Sequence, residues 1–132
     1  QALSGARQIR LGNLEPKRDL TFVHDTTRAF QLALETPGIE GETIHFGSGR
    51  AVSIGDLAQT CLQVVGSEAE IVSVDERYRP DKSEVGLLLC NPAKAECILQ
   101  WTPEITLEEG LRRTAEYLRR HLAEYRVDAY AV

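Results

Sequence analysis

The sequence predicts a small mixed α/β domain, because short runs of strand periodicity alternate along the chain with runs of helical periodicity. The 132 residues suit a single domain spanning residues 1–132, with one core that needs no disulfide or metal to hold it. The apolar fraction of 42% and the charged fraction of 27% are ordinary for a globular protein. No repeat, low-complexity tract or flexible linker divides the chain.

Four short runs predict strands. Residues 7–11 (RQIRL) alternate polar and apolar side chains, and residues 19–23 (DLTFV) and 69–74 (AEIVSV) are β-rich. Residues 42–46 (ETIHF) form a fourth run, which ends at the glycines of residues 47–49 (GSG). Residues 75–84 carry alternating charges and a proline, which predicts a loop.

Capping signals and apolar spacing predict four helices. Each begins near a side chain that can accept a hydrogen bond from a free backbone N–H: Asp25, Ser53 with Asp56, Asn91 before Pro92, and Thr106 with Glu109. Glycine or proline ends the first three, at residues 37–38, 66 and 103. The apolar repeat of the first helix is Ala29, Phe30, Ala33 and Leu34.

Charge and cysteine content indicate which classes of partner and which cellular compartment to expect. Fifteen basic and 20 acidic side chains give a formal charge of -5, so nucleic acid is not an expected partner. No apolar run approaches the ~20 residues of a membrane-spanning helix, and no membrane partner is expected. The three cysteines form no C-x-x-C pair, which disfavours a disulfide framework or a zinc site and favours a reducing cytoplasm.

Patterns for cofactor or metal chemistry are incomplete. The glycines of residues 47–49 lack the third glycine of G-x-G-x-x-G. Tyr78 and Lys82 have the spacing of a Tyr-x-x-x-Lys base pair, but Pro80 between them disfavours the helix that would align them. The histidines are not at metal-ligand spacing: His24, His45 and His121. We therefore predict no catalytic, cofactor-binding or metal-binding residue.

Four stretches occur in an order that resembles a known family: LGNLEPKRDLTFVHD, IHFGSGRAVSIGDLAQ, RYRPDKSEVGLLLCNPAKAECILQW and TLEEGLRRTAEYLRRH. They resemble the substrate-binding part of nucleotide-sugar epimerases and 4,6-dehydratases, in the extended short-chain dehydrogenase/reductase family. The resemblance implies the C-terminal portion of an NAD(P)-binding Rossmann protein, without the dinucleotide-binding half. The absence of methionine also favours a fragment, although removal of a leader or tag would have the same effect.

The resemblance also implies which residues meet ligand. Arg18 would bind the diphosphate of a nucleotide-sugar, Arg79 would reach the nucleotide phosphates, and Glu84 would accept hydrogen bonds from the ribose hydroxyls. The strand that ends at Leu11 would flank the nucleobase through backbone groups. The alternatives are that Arg18 is a solvated turn arginine beside Asp19, and that the other two charges lie on a loop that never meets ligand.

One departure from the family pattern concerns the backbone. Gln100 replaces the glycine of the family's L-G-W, so the turn into Trp101 must avoid positive φ or tolerate strain at a non-glycine residue.

The expected function is weak nucleotide-sugar recognition by a domain that is catalytically inert alone. The family uses NAD, but no cofactor is expected in this chain. The alternative is an interaction module that pairs with itself or with a complementary Rossmann half. Residues 43–46 resemble a strand of the cofactor domain's sheet, and an open edge there would favour a homo-oligomer.

Overall fold

The computed structural model describes residues 1–78 and 83–125. Strands and helices alternate, which confirms the small mixed α/β class. The elements are β1 (Gln8–Leu11), β2 (Lys17–Asp19), α1 (Val23–Glu35), β3 (Ala51–Ser53), α2 (Ile54–Val65), β4 (Glu70–Ser73), β5 (Leu87–Leu88), α3 (Ala93–Leu99) and α4 (Leu107–His121). Short 3-10 turns follow at Asp75–Arg77 and Leu122–Glu124.

The strands form two small sheets. β1 pairs in parallel with β4, with Leu11 opposite Ser73. β2 is the central strand of the second sheet, antiparallel to β3 and parallel to β5. Arg18, in the middle of β2, lies opposite Val52 on one side and Leu88 on the other. Because residues directly opposite each other point to the same face, Arg18 shares its face with two apolar side chains.

The core lies between α1 and α3 and is built around Trp101, which is fully buried. Its indole meets the ring of Phe46 edge-on, with centroids 5.1 Å apart, in the geometry that aromatic pairs prefer. The other buried members of this cluster are Ala29, Ala95 and Leu99. Ile44 and Phe46 pack against the cluster from a segment that has no strand partner in the described chain.

Local capping signals placed the starts of α2 and α4 correctly. Ser53 Oγ accepts a hydrogen bond from the N–H of Asp56 at 2.9 Å, and Thr106 Oγ1 accepts one from the N–H of Glu109 at 3.2 Å. Gly66 ends α2 at φ +71°. α3 begins one residue later than predicted, with Pro92 rather than Asn91 at its N-cap, although Asn91 Oδ1 does accept a hydrogen bond from the N–H of Ala93 at 3.1 Å.

The predicted cap of α1 is wrong. The helix begins at Val23, two residues before Asp25, and Phe22 at its N-cap supplies no side-chain hydrogen bond. Asp25 is buried and accepts hydrogen bonds from the N–H groups of Glu104 and Ile105, both at 3.0 Å. The loop before α4 brings two backbone donors into the interior, and the carboxylate satisfies them there.

Two predicted strands are also wrong. β2 comprises residues 17–19 instead of residues 19–23. The chain leaves the sheet after Asp19, whose carboxylate accepts a hydrogen bond from the N–H of Ser48 in the turn at residues 47–49. Residues 42–46 form no ladder within the described chain, and Ile44 and Phe46 pack on the core instead. A β-rich composition does not produce a strand without a neighbouring strand.

Candidate functional site

The structure brings Arg18 and Glu84 together. Arg18 Nη2 lies 3.3 Å from Glu84 Oε1, and Arg18 Nη1 donates to the carbonyl of Lys17 at 2.8 Å. The two side chains are 21% and 19% exposed, so both are partly dehydrated but remain within reach of a ligand. An ion pair at this depth is screened less than a surface pair.

The sheet explains why two residues so distant in sequence meet. Glu84 precedes β5, and the carbonyl of Gly86 accepts a hydrogen bond from the N–H of Lys17 at 2.8 Å. β5 then runs beside β2 with Leu88 opposite Arg18. The backbone ladder therefore holds the segment that carries Glu84 against the strand that carries Arg18.

An apolar edge adjoins this pair. Leu87, Leu88 and Leu89 are each about half exposed, as is Val85. β5 is the outer strand of its sheet within the described chain, so one of its edges is open. A cation, an acceptor and an apolar edge side by side suit a ligand that carries anionic, hydroxyl and apolar groups together.

Of the other two predicted site residues, the structure places Leu11 away from the Arg18–Glu84 pair. Leu11 ends β1 in the other sheet, and its carbonyl accepts a hydrogen bond from the N–H of Val74 at 2.8 Å. Arg79 lies outside the described residues. The hydroxyl of Tyr78 is 3.1 Å from that of Ser73, which lies opposite Leu11.

The turn at residues 47–49 is filled by a carboxylate of the protein itself. The N–H groups of Ser48 and Gly49 donate to Asp19 at 2.8 and 2.9 Å. A Cβ at Gly47 would collide with Cys90, so only glycine allows the turn to approach so closely. These amides are therefore used for folding, and a phosphate would have to displace Asp19 to reach them.

A cleft of about 450 Å³ lies near the Arg18 face but does not include Arg18. Val52, the partner of Arg18 across the strands, lines it together with Arg50. Glu104 and Glu108 line it as well, so its charge is mixed and does not favour a diphosphate. The ion pair is therefore the better candidate site than this cleft.

Two thiols are protected from ionisation. Burial raises the pKa of Cys61. Burial, and secondly the charge of Asp19, raises the pKa of Cys90. Because the thiolate is the nucleophile, neither side chain is activated for covalent chemistry.

Within residues 1–78 and 83–125, no group of three or more His, Cys, Asp or Glu residues could hold a metal ion. No helix in those ranges is both long enough and apolar enough to cross a membrane.

A family model described as GDP-mannose 4,6 dehydratase matches residues 1–114. UDP-glucuronic acid decarboxylase 1 of Xenopus tropicalis is 30% identical, over 92% of this chain and 28% of its own length. UDP-glucuronate 4-epimerase of Thermodesulfobacterium geofontis is 29% identical, over 80% of this chain and 31% of its own.

Solved structures give the same picture. The UDP-glucose 4-epimerase of Thermotoga maritima with UDP-glucose aligns with a TM-score of 0.79 at 33% identity, over 92% of this chain and 37% of that one. The UDP-glucuronic acid 4-epimerase of Bacillus cereus, in complex with UDP-glucuronic acid and NAD, aligns with a TM-score of 0.74 at 27% identity, over 86% and 35%. The chain thus spans about a third of the length of these relatives.

Proposed function

This chain belongs to the nucleotide-sugar epimerase and dehydratase family of extended short-chain dehydrogenases/reductases, and from that membership we propose that it is a nucleotide-sugar recognition domain. Residues 1–132 form one substrate-binding-type domain, which is catalytically inert alone. Arg18 and Arg79 bind the phosphates, Glu84 accepts hydrogen bonds from ribose hydroxyls, and the backbone at Leu11 flanks the nucleobase.

The meeting of Arg18 and Glu84 is the observation that carries this proposal. They are 66 positions apart, yet their charged groups lie 3.3 Å from each other on one sheet. A guanidinium presents paired donors to phosphate oxygens and keeps its charge at any working pH. A neighbouring carboxylate can accept hydroxyl donors of the same ligand.

Two features of residues 1–78 and 83–125 support the proposed inertness. Asp19 occupies the glycine turn at residues 47–49. Burial raises the pKa of the Cys61 and Cys90 thiols, which disfavours their nucleophilic thiolate forms. Structures of relatives that hold NAD are longer than this chain, which covers 35% of one of them. NAD therefore belongs to the parent family in this proposal. The setting is the cytoplasm, supported by three free cysteines.

Binding tests the proposal directly. We expect the 132-residue chain to bind UDP-glucose or GDP-mannose weakly in calorimetric titration, because half of a pocket forgoes the contacts and water exclusion of the whole. Arg18→Gln should weaken binding roughly tenfold or more, since it removes a charge-assisted contact. Arg119→Gln, which removes an exposed arginine from α4, should leave binding unchanged.

Two results would count against this function. Equal affinities for wild type and Arg18→Gln would remove Arg18 from the site. Turnover of either nucleotide-sugar by this chain with added NAD would show that it is not inert.

A second function, an interaction module, is favoured by the outer face of α1. Phe30 and Leu34, predicted to pack inward, are 63% and 88% exposed, and Val23 lies on the same helix face. Only Ala29 and Ala33 of that apolar repeat face the core. The exposed stripe suits burial against a second copy of this chain or against a complementary Rossmann half.

Sedimentation across protein concentrations tests this second function. We expect the wild-type chain to associate and the Phe30→Ser, Leu34→Ser double variant to remain monomeric with unchanged thermal stability. The matched control is Tyr117→Ser, an exposed aromatic on α4. A wild-type chain that stays monomeric at every concentration contradicts self-pairing.

A further inference from the structure

We propose that Glu84 is a specificity-determining residue that rejects inorganic anions by neutralising Arg18 until a nucleoside diphosphate replaces it. This inference rests on the proposed function, because it assigns a selectivity to the same site. The observation behind it is that the cation expected to bind phosphate already has an anionic partner in the absence of ligand.

The environment makes Glu84 the natural partner of Arg18. Val52 and Leu88, which flank Arg18 across the strands, are apolar and provide no alternative acceptor. The carbonyl of Lys17 holds the second nitrogen of the guanidinium at 2.8 Å and fixes its position. Within the described ranges, Glu84 has no other hydrogen-bond or ion-pair partner.

Displacing this pair has a cost that depends on the ligand. An anion that takes Arg18 leaves Glu84 partly dehydrated, unpaired and next to a like charge. Inorganic pyrophosphate offers negative charge but few hydroxyl donors to compensate that carboxylate. A nucleoside diphosphate brings phosphate oxygens for Arg18 and ribose hydroxyls for Glu84, so it satisfies both groups at once.

The experiment compares GDP with inorganic pyrophosphate, in magnesium-free buffer, for the wild-type chain, for Arg18→Gln and for three further variants. Glu84→Gln removes the competing charge and should tighten pyrophosphate binding roughly tenfold, by the scale of a close like-charge contact. It should not tighten GDP binding, so the preference for GDP over pyrophosphate falls by about the same factor. Glu84→Asp keeps the charge and should keep the preference.

The third variant controls for net charge. Glu116→Gln removes one acidic charge from an ion pair with Arg112 on α4, and it should bind both ligands as the wild type does. Circular dichroism spectra of all variants establish that they are folded. If Glu84→Gln does not fold, loss of the preference in Glu84→Asp overturns the proposal and retention supports it.

The outcomes separate this inference from the function on which it rests. If Arg18→Gln weakens GDP binding while Glu84→Gln leaves pyrophosphate binding unchanged or weaker, the recognition function stands and the selectivity role of Glu84 is overturned. If the wild-type chain binds neither GDP nor a nucleotide-sugar, both proposals fall.

Discussion

Asp25 and Arg18 belong to one motif, residues 18–25 (RDLTFVHD), in the first of the four stretches that resemble the family, yet they occupy different environments. Asp25 is 2% exposed, and its carboxylate and carbonyl bind the backbone of the loop before α4 and the indole of Trp101. Arg18 faces one acid, Glu84, beside a half-exposed leucine edge. Asp25 therefore holds two parts of the fold together, whereas Arg18 lies on the face where a ligand can reach it.

Asp19 also has a structural role, although it is adjacent to Arg18. Its carboxylate accepts from the backbone N–H groups of Ser48, Gly49 and Cys90. Successive residues of a strand point to opposite faces, so one step along β2 separates a structural acid from a ligand-facing base. Substitutions of Asp19 or Asp25 should consequently lower stability, whereas substitution of Arg18 should weaken ligand binding.

The largest expected loss comes from the interior. Trp101→Ala should lower the free energy of unfolding by about 4 kcal/mol, because it empties the centre of the core and removes the indole hydrogen bond to the Asp25 carbonyl. Urea unfolding followed by circular dichroism measures it. Tyr117→Ala, at an exposed aromatic, is the control. A loss below about 1 kcal/mol for Trp101→Ala would show that the core lies elsewhere.

Asp25→Ala should lower the free energy of unfolding by about 3 kcal/mol, since it removes a buried carboxylate and leaves two part-buried backbone N–H groups without their acceptor. The same urea experiment measures the effect. The matched control is Glu104→Ala, which removes only the exposed carboxylate that pairs with Arg28 at 3.3 Å. That control should change stability by less than about 0.5 kcal/mol. If Asp25→Ala and Glu104→Ala lower the free energy of unfolding equally, Asp25 has no greater structural role than an exposed acid.

The ion pair between Arg18 and Glu84 should contribute little to the free energy of unfolding. The double variant Arg18→Gln, Glu84→Gln replaces an ion pair by two neutral amides and should change the free energy of unfolding by less than about 1 kcal/mol. Thermal unfolding is a sufficient measurement. A loss comparable to that of Asp25→Ala would mean that this pair is a structural element, which would break the comparison.

The smallest effect is expected at an exposed ion cluster on α4. Hydrogen bonds from Arg112 and Arg113 lower the pKa of Glu109 to about 2 from its usual 4.5. Because the pKa is depressed by folding, the contribution of Glu109 to stability is complete above pH 4.5 and is lost as the pH falls through about 2. The cluster is exposed, so salt should screen this contribution.

Acid titration of thermal stability checks this prediction. At low ionic strength, the advantage of the wild type over Glu109→Gln should shrink as the pH is lowered across that window. High salt should reduce it at every pH. A difference between the two proteins that does not vary with pH would mean that the cluster is not formed in solution.

Local signals were predictable from the sequence, and long-range ones were not. The caps at Ser53 and Thr106 depend on residues three positions away, so spacing was enough to place them. The partners of Asp25 are 79 and 80 positions distant, and no periodicity connects them. The same limit applies to Arg18 and Glu84, which only the family resemblance linked to one ligand.

The backbone conformation of Gln100 and the exposure of Phe30 and Leu34 also depend on residues outside their own segments. The sequence left two conformations for Gln100, and the structure adopts the strained one at φ +51°. The buried Trp101 that follows it requires the chain to turn there. Phe30 and Leu34 have the spacing of a buried face, but spacing does not specify which neighbour covers it.

An amide chemical-shift titration of the 132-residue chain with UDP-glucose tests the central claim most directly. Saturable shifts at Arg18, Glu84 and Leu88, with the indole N–H of Trp101 unmoved, are the predicted result. Absence of saturable shifts, or shifts confined to the cleft lined by Arg50 and Glu104, would contradict nucleotide-sugar recognition at this face.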